Sequence, residues 1–403
     1  MKLRKTQVAA AVGGALLLAG SAVQAQAPSG VTGAQPGINV QLYGQVSRAM
    51  MFADDGFSSK WFNVDGQPSS TRFGIMATGQ VTPSLRVGAR IETEMKSNPS
   101  DTVGFGATAP NTPSTGAVNG GNVLWAERWL DAYIEGGWGR VNLGQGSGAA
   151  DDVSTVDLSG TTMPNGNCPT DWGGGISFRN ANTGATLGGT LATVGGTAAT
   201  FALGNCNDFE SRYDRIQYTT PTFAGFRGQV SHGQKTAAGE ATEAAVWYGG
   251  KLAGELQAAI GYAKVNVTTP DTAAARGAEA RETVGFGVSW LHTSGFNITL
   301  QGTSTAGISA VSPDVDDRTA KYSNLKLGWK FGTQHAVAAD FGFYKDQAQK
   351  GDDGKSVGLG YVWTPVRWTE IYAGYHIFSL DRDNLAFEIE DIKVLAIGTR
   401  IRF

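Results

Sequence analysis

Along most of this chain apolar and polar residues alternate one by one. Leu325, Leu327, Trp329 and Phe331 are separated by Lys326, Gly328 and Lys330. Leu85, Val87, Ala89 and Ile91 are separated by Arg86, Gly88, Arg90 and Glu92. The last residues, "KVLAIGTRIRF", keep the same beat and end on Phe403. A period of two puts one face of a strand in an apolar medium and the other in a polar one. The pattern predicts strands at Val40–Met51, Ser70–Gln80, Ser84–Met95, Leu124–Glu135, Gly139–Gln145, Ser211–Thr220, Phe223–His232 and Thr242–Lys251. Eight more are predicted at Glu255–Val267, Glu282–His292, Gly295–Thr303, Tyr322–Phe331, Gln334–Tyr344, Lys355–Trp363, Val366–Phe378 and Ile392–Phe403.

The connections carry the stronger signal. Short turns such as "TPS", "GGW", "LAG" and "TP" alternate with longer polar stretches at 52–69, 96–123, 146–210, 233–241, 268–281, 304–321, 345–354 and 379–391. All the long connections then lie at one end of the sheet. That segregation, with strands of nine to thirteen residues, is the pattern of an outer-membrane barrel with short periplasmic turns and long extracellular loops. Inside a bilayer no water satisfies a sheet edge, so the sheet must close. The expected fold is all-β: a sixteen-stranded antiparallel transmembrane β-barrel, apolar outside and polar within. Trp138, Phe223, Phe331, Trp363, Trp368 and Phe403 fall beside the short turns, where an interfacial aromatic girdle belongs.

Composition adds a compartment. The first residues, "MKLRKTQVAAAVGGALLLAGSAVQAQA", read as a basic, then apolar, then small-residue secretory signal, with cleavage expected after Ala25 and the barrel occupying 26–403. Without Lys2, Arg4 and Lys5 the chain keeps 29 Lys and Arg against 35 Asp and Glu, a net −6. The 57 glycines weigh against a helical protein. Cys168 and Cys206 suit one disulfide in an oxidising compartment.

Several stretches resemble the general trimeric porins of Gram-negative bacteria. These are "VQLYGQVS", "STRFGIMATGQVTPSLRVGARIETE", "RWLDAYIEGGWGRVNLGQG", "SRYDRIQYTTPTFAGFRGQVSHG" and the closing "GTRIRF". The resemblance implies a homotrimer in the outer membrane, in contact with its lipid and lipopolysaccharide, passing small hydrophilic solutes and ions. It implies a third loop folded inward to narrow the pore, and a terminal Phe403 that the outer-membrane assembly machinery recognises. The chain departs from the pattern at Leu143-Gly144-Gln145-Gly146 and at Met76, where basic residues are usual, and the "PEFGG" loop tip is absent. Ion selectivity is therefore not carried over.

The longest connection, 146–210, opens with Asp151, Asp152 and Asp157. Strand parity turns Arg72, Arg86, Arg90 and Arg215 inward on the neighbouring wall, with Glu92 and Glu94 among them. Acidic residues facing a basic wall across an aqueous gap would set up a transverse field that selects among solutes. The three aspartates are expected to form the loop side of this constriction. Both cysteines lie in the same connection, where a bridge would tether a long insertion. Inward aromatics at Tyr43, Trp129 and Tyr133 leave open a channel that prefers particular substrates, and the long loops leave open an adhesive barrel.

Other chemistries find little support. "GKSVG" at 354–358 matches a serine-hydrolase elbow, but it enters a strand from a hairpin rather than leading from strand to helix. The four histidines are scattered over separate hairpins without metal-ligand spacing. No basic patch suits nucleic acid. No enzymatic activity and no cofactor are expected.

Overall fold

The computed structural model describes residues 37–105, 125–193, 199–204, 206, 209–236, 239–267, 281–307 and 319–403. The segment 1–25, expected to be a secretory signal, lies outside these residues. The strands are β1 (Ile38–Asp54), β2 (Ser59–Asp65), β3 (Arg72–Thr82), β4 (Leu85–Glu94), β5 (Ala126–Gly136), β6 (Gly139–Ser147), β7 (Arg179–Asn180) and β8 (Arg212–Thr219). They continue as β9 (Phe226–Thr236), β10 (Gly239–Lys251), β11 (Gly254–Val267), β12 (Arg281–His292), β13 (Phe296–Ala306), β14 (Thr319–Phe331), β15 (His335–Lys345), β16 (Asp352–Val366), β17 (Thr369–Arg382), β18 (Ile389–Glu390) and β19 (Ile392–Arg402).

Each barrel strand pairs antiparallel with its sequence neighbours, and β1 closes the ring on β19 from Gln45↔Arg402 to Asp54↔Lys393. Closure leaves no strand edge to lipid, as a bilayer requires. Seventeen strands make the main sheet, but β2 and β3 lie end to end along β1: β2 pairs with Arg48 to Asp54 and β3 with Ile38 to Gln45. The barrel therefore has sixteen staves, the second interrupted between β2 and β3 by a 3-10 turn at Gln67–Ser69. The Gln45 amide fills that interruption, donating to the Ser69 and Ser70 carbonyls at 3.1 and 2.7 Å.

The faces follow the alternation. Leu42, Ile75, Ile91, Leu143, Ile216, Leu327 and Leu359 point outward and are exposed, a belt suited to hydrocarbon. Trp138, Phe223, Phe331, Trp363, Trp368 and Phe403 are exposed near the short turns. At the closing seam, Gly44 and Phe403 exchange both backbone hydrogen bonds, at 2.9 and 3.0 Å.

Four connections differ from the sequence expectation. The stretch 52–69 is mostly strand, because β1 runs on to Asp54 and β2 begins at Ser59. The stretch 233–241 is mostly strand too, since β9 reaches Thr236 and β10 starts at Gly239. On this side the staves continue past the apolar belt, so hydrogen bonding persists where the lipid-facing period has stopped. At the other end "TP" (Thr364, Pro365) lies within the last residues of β16 at a register shift, and the turn falls at Arg367 and Trp368. After "TPT", β9 begins at Phe226 rather than Phe223, with Phe223 bonded back to Phe226.

Candidate functional site: the inner wall and the third loop

The described residues of the stretch 146–210 lie against the inner face of the barrel, held by side chains that the alternation turns inward. Ser231 on β9 accepts the Ala149 N–H at 2.8 Å, and Glu243 on β10 accepts those of Ala150 and Glu210 at 3.0 and 2.9 Å. Ser289 on β12 accepts the Leu158 N–H at 2.8 Å, and the Gln301 amide on β13 donates to the Val156 carbonyl at 3.1 Å. Further along, Tyr322 donates to the Asn167 carbonyl at 2.7 Å, and His376 meets the Pro164 carbonyl at 2.8 Å.

Two apolar clusters complete the seat. Ala150, Val153, Val156 and Phe209 pack on Ala245, Trp247, Ala259 and Ala263. Trp172, Ile176, Phe178, Leu191 and Leu203 pack on Met51, Tyr344, Tyr372, Phe378 and Val394. The loop is also joined to its neighbours. β7 pairs with β18 in the last connection, and Arg179 donates to Asp55 at 2.6 Å. Cys168 and Cys206 are bonded, with α-carbons 5.4 Å apart and a separation of 38 positions in sequence. Closing such a loop is worth about 4 kcal/mol on a chain-entropy account. Reduction, or Cys206→Ser, is expected to leave the barrel intact while opening 146–210 to a soluble protease. An unchanged cleavage pattern would show that the wall contacts alone hold the loop.

The wall that the described residues of 146–210 leave uncovered, β3 to β6 with β8, carries the expected arginines. Glu92 is the hub: Arg90 donates to its Oε2 at 2.6 Å, Arg128 to its Oε1 at 2.7 Å, and Arg72 lies at 3.9 Å. The Tyr43 hydroxyl donates to the same Oε2 at 2.8 Å and accepts from Arg90 at 2.7 Å. Arg128 also holds Glu94, at 2.8 Å. Arg215 bonds Asp131 at 3.1 Å and the carbonyls of Ser147 and Gly144. Arg86 pairs with Glu135 at 2.6 Å. Guanidinium groups lie over aromatic faces: Arg140 is 3.5 Å from the Tyr133 ring centre and Arg90 is 4.2 Å from that of Trp129.

The sequence reading expects Arg72, Arg86, Arg90, Arg215 and Glu92 to line the pore, and the structure places them on β3, β4 and β8 in the contacts just described. It did not foresee how completely some are buried. The Arg215 side chain is 1% exposed and that of Glu92 is 2% exposed, whereas Arg86, Arg90 and Arg140 keep 47%, 26% and 37%. Strict alternation from Trp129 turns Arg128 outward. A register shift between Glu92 and Thr93 brings it inward instead, the usual effect of a bulge.

The aspartates depart further from expectation. Asp157 does not face the arginines. It is sealed against β14, where Lys326 donates to its Oδ2 at 2.7 Å, the two side chains being 0% and 1% exposed. Burial alone would raise the Asp157 carboxyl; the Lys326 ammonium, with hydrogen bonds from Lys326 and Ser159, overcomes this and holds it below its ordinary value. Asp151 is also buried, within electrostatic reach of Glu243 and Lys235 rather than of the arginine wall. Asp152 remains partly exposed, in a left-handed conformation (φ 71°), accepting from Thr155 at 3.3 Å.

A closed barrel with an apolar belt, a polar interior and a long internal loop defines a channel of the outer membrane. The sequence matches the Gram-negative porin family model over residues 9–382, and the chain belongs to that family. It is an outer-membrane protein that provides a path for passive diffusion of solutes. Solved structures of similar fold include an anion-selective porin from Comamonas acidovorans, at 16% identity and TM-score 0.61, covering 91% of this chain and 100% of that one. OmpF of Salmonella typhi, solved in complex with daunomycin, is similar at 13% identity and TM-score 0.59, covering 91% and 98%. The outer membrane channel DcaP of Acinetobacter baumannii is similar at 12% identity and TM-score 0.56, covering 92% and 99%. No curated protein sequence matches the chain at a significant level.

Proposed function

We propose that the chain is a general diffusion pore for small hydrophilic solutes, narrowed by the loop 146–210, with a preference for anions and no catalytic step. One contrast carries the reading. On the arginine wall Glu92, Glu94 and Asp131 have side chains only 2%, 11% and 1% exposed, while Arg86, Arg90 and Arg140 remain open to water at 47%, 26% and 37% against one open carboxylate, Glu135 at 30%, between Arg86 and Arg140. Permeating ions therefore meet mostly guanidinium, although the whole chain is net negative. Charges lining a narrow aqueous path govern which ions enter it. A unit charge about 6 Å from an ion in water is worth about 0.7 kcal/mol, roughly a threefold change in local ion population.

The test is the reversal potential of single channels in a potassium chloride gradient. The protein should favour chloride, and Arg90→Gln with Arg140→Gln should cut that preference by up to about tenfold. Asp152→Lys should raise it, if the loop edge bearing Asp152 borders the same gap. A cation preference in the unaltered protein would overturn the reading.

The stacks of Arg140 on Tyr133 and Arg90 on Trp129 also support a second reading, a channel that prefers planar anionic solutes. Saturable uptake of an aromatic carboxylate, against linear uptake of a sugar, would favour it. A homotrimer, as the family resemblance implies, belongs to the same proposal, and conductance steps arriving in threes would support it.

A further inference from the structure

Beneath the third loop, toward the short turns, the inner wall of β11 to β14 holds a second charged feature, separate from the arginine wall. Lys326 faces inward to Asp157, so Lys330, four residues on along β14, faces inward as well. Ala259 and Ala263 of β11 pack under the loop, which places Glu255 on the same inner face. Ser289 holds Leu158, and Leu291 and Thr293 follow it inward at and just past the end of β12. Glu255, Leu291, Thr293, Gly295 and Lys330 line a cavity of about 580 Å³.

The two charges in this cavity are unpaired. Among the described residues the Lys330 ammonium and the Glu255 carboxylate form no hydrogen bond and no ion pair, although each lies within electrostatic reach of the other. Asp157 is also within reach of Lys330, but Lys326 already holds it. β11 and β14 are three strand spacings apart, roughly 14 Å between backbones, so the two side chains reach toward each other over Leu291 and Gly295 without meeting. The third loop fixes one of them. Gly160 lies on the Lys330 stem: at its φ of 81° a Cβ would come within 2.8 Å of Lys330 Cε.

We propose that this cavity binds a zwitterionic α-amino acid, its carboxylate on Lys330, its ammonium on Glu255 and an aliphatic side chain over Leu291. A simple anion would satisfy Lys330 and be repelled by Glu255, and a simple cation would meet the reverse. A solute carrying both charges on neighbouring atoms pairs with each and leaves neither side chain unmatched. Glu255 is exposed and Lys330 half-buried, so both pairings compete with water. The site therefore holds its ligand weakly and releases it, as a diffusion path requires. The assignment needs only the open barrel and is independent of any ion preference set on the arginine wall.

Saturation-transfer NMR on the full detergent-solubilised protein tests this with three probes of one carbon skeleton. They are leucine, 4-methylpentanoate, which lacks the ammonium, and 3-methylbutylamine, which lacks the carboxylate. Leucine should bind about tenfold more tightly than the amine and at least about threefold more tightly than the carboxylate. K330Q should weaken leucine about tenfold and leave the amine unchanged. E255Q, at the more exposed end, should weaken leucine about threefold and leave 4-methylpentanoate no weaker. Both variants should keep the single-channel conductance of an intact barrel. Equal affinity of the unaltered protein for leucine and 4-methylpentanoate would give the solute to the guanidinium groups across the pore and overturn the proposal. Leucine binding that survives both substitutions, or no leucine binding at all, would overturn it equally, with the chloride preference tested separately by reversal potential.

Discussion

Replacing Lys326 by methionine is expected to free the third loop from the barrel wall while the barrel still closes. Lys326 has no exposed side-chain surface, and its ammonium donates to Asp157 Oδ2 at 2.7 Å, to Asn167 Oδ1 at 3.1 Å and to the Asn165 carbonyl. Removing one member of a buried pair strands the other charge, at a cost of about 3–5 kcal/mol. The stranded group is Asp157, so the loss falls on the loop rather than on the strands. The expected result is rapid proteolysis within 146–210 and noisier single-channel current at pH 7. Adding Asp157→Asn should restore much of the protection, because deleting both charges costs far less than deleting one.

The pH dependence sharpens the test. The Asp157 carboxyl is held below its ordinary value of 3.8, so its contribution is present above that value and is lost only as pH falls through the lower folded one. The native tether should therefore persist in mild acid. Without Lys326 burial dominates, the carboxyl rises, and protonation relieves the buried charge as pH falls. The deficit of Lys326→Met should shrink between pH 7 and pH 5. A deficit that does not change with pH would mean that the lysine acts only through packing and its two asparagine contacts.

The barrel was legible in the sequence because one physical condition acts on every strand. Lipid outside and water inside impose a period of two, and that period set the sixteen staves and the inward turn of Arg72, Arg86, Arg90 and Arg215. It faded where the condition ends. Ser59–Asp65 continues the second stave beyond the belt, between "DDGFSS" and "GQPSS", whose turn-forming residues masked seven residues of strand. Arg128 was hidden by a different mechanism. Its inward position depends on a register shift at Glu92 and Thr93, and nothing in local composition announces one extra residue.

The acidic side of the site was harder to read. Asp151, Asp152 and Asp157 are a cluster in sequence, and a cluster of like charges suggests a shared, solvated role. In the structure the segment lies flat on the wall, so neighbours one to six residues apart meet different partners. Asp157 finds Lys326 across 169 residues of chain, and Asp152 accepts from the Thr155 hydroxyl in its own turn. Lys326 itself was readable as inward from the alternation of its strand. Which segment would cover it depends on the path of a sixty-five-residue loop, and no periodicity governs that path.

Gly44→Val is expected to damage barrel closure more than any other single change on the outer face. A Cβ at Gly44 would lie 2.5 Å from Phe403 Cζ, 2.7 Å from Cε2 and 2.9 Å from the Arg72 carbonyl oxygen. The terminal ring thus covers the glycine across the closing seam, where both backbone bonds of the pair are made. An aromatic laid over a cross-strand glycine shields backbone that no other side chain protects. A valine must push the ring away and crowd the β3 carbonyl, a strain of about 1–3 kcal/mol at the step that removes the last open edges. Refolding of Gly44→Val into lipid vesicles should be slow and incomplete, read as loss of the compact, heat-modifiable band. Adding Phe403→Ala should relieve part of that defect in vesicles, because the ring is then gone. In cells the same double variant separates packing from recognition. If the assembly machinery reads Phe403, the variant will still fail to reach the outer membrane; if the ring only seals the seam, recovery in cells will match recovery in vesicles. Refolding of Gly44→Val at the normal rate and yield would show that the ring swings aside without cost, and would remove the seam from the account of closure.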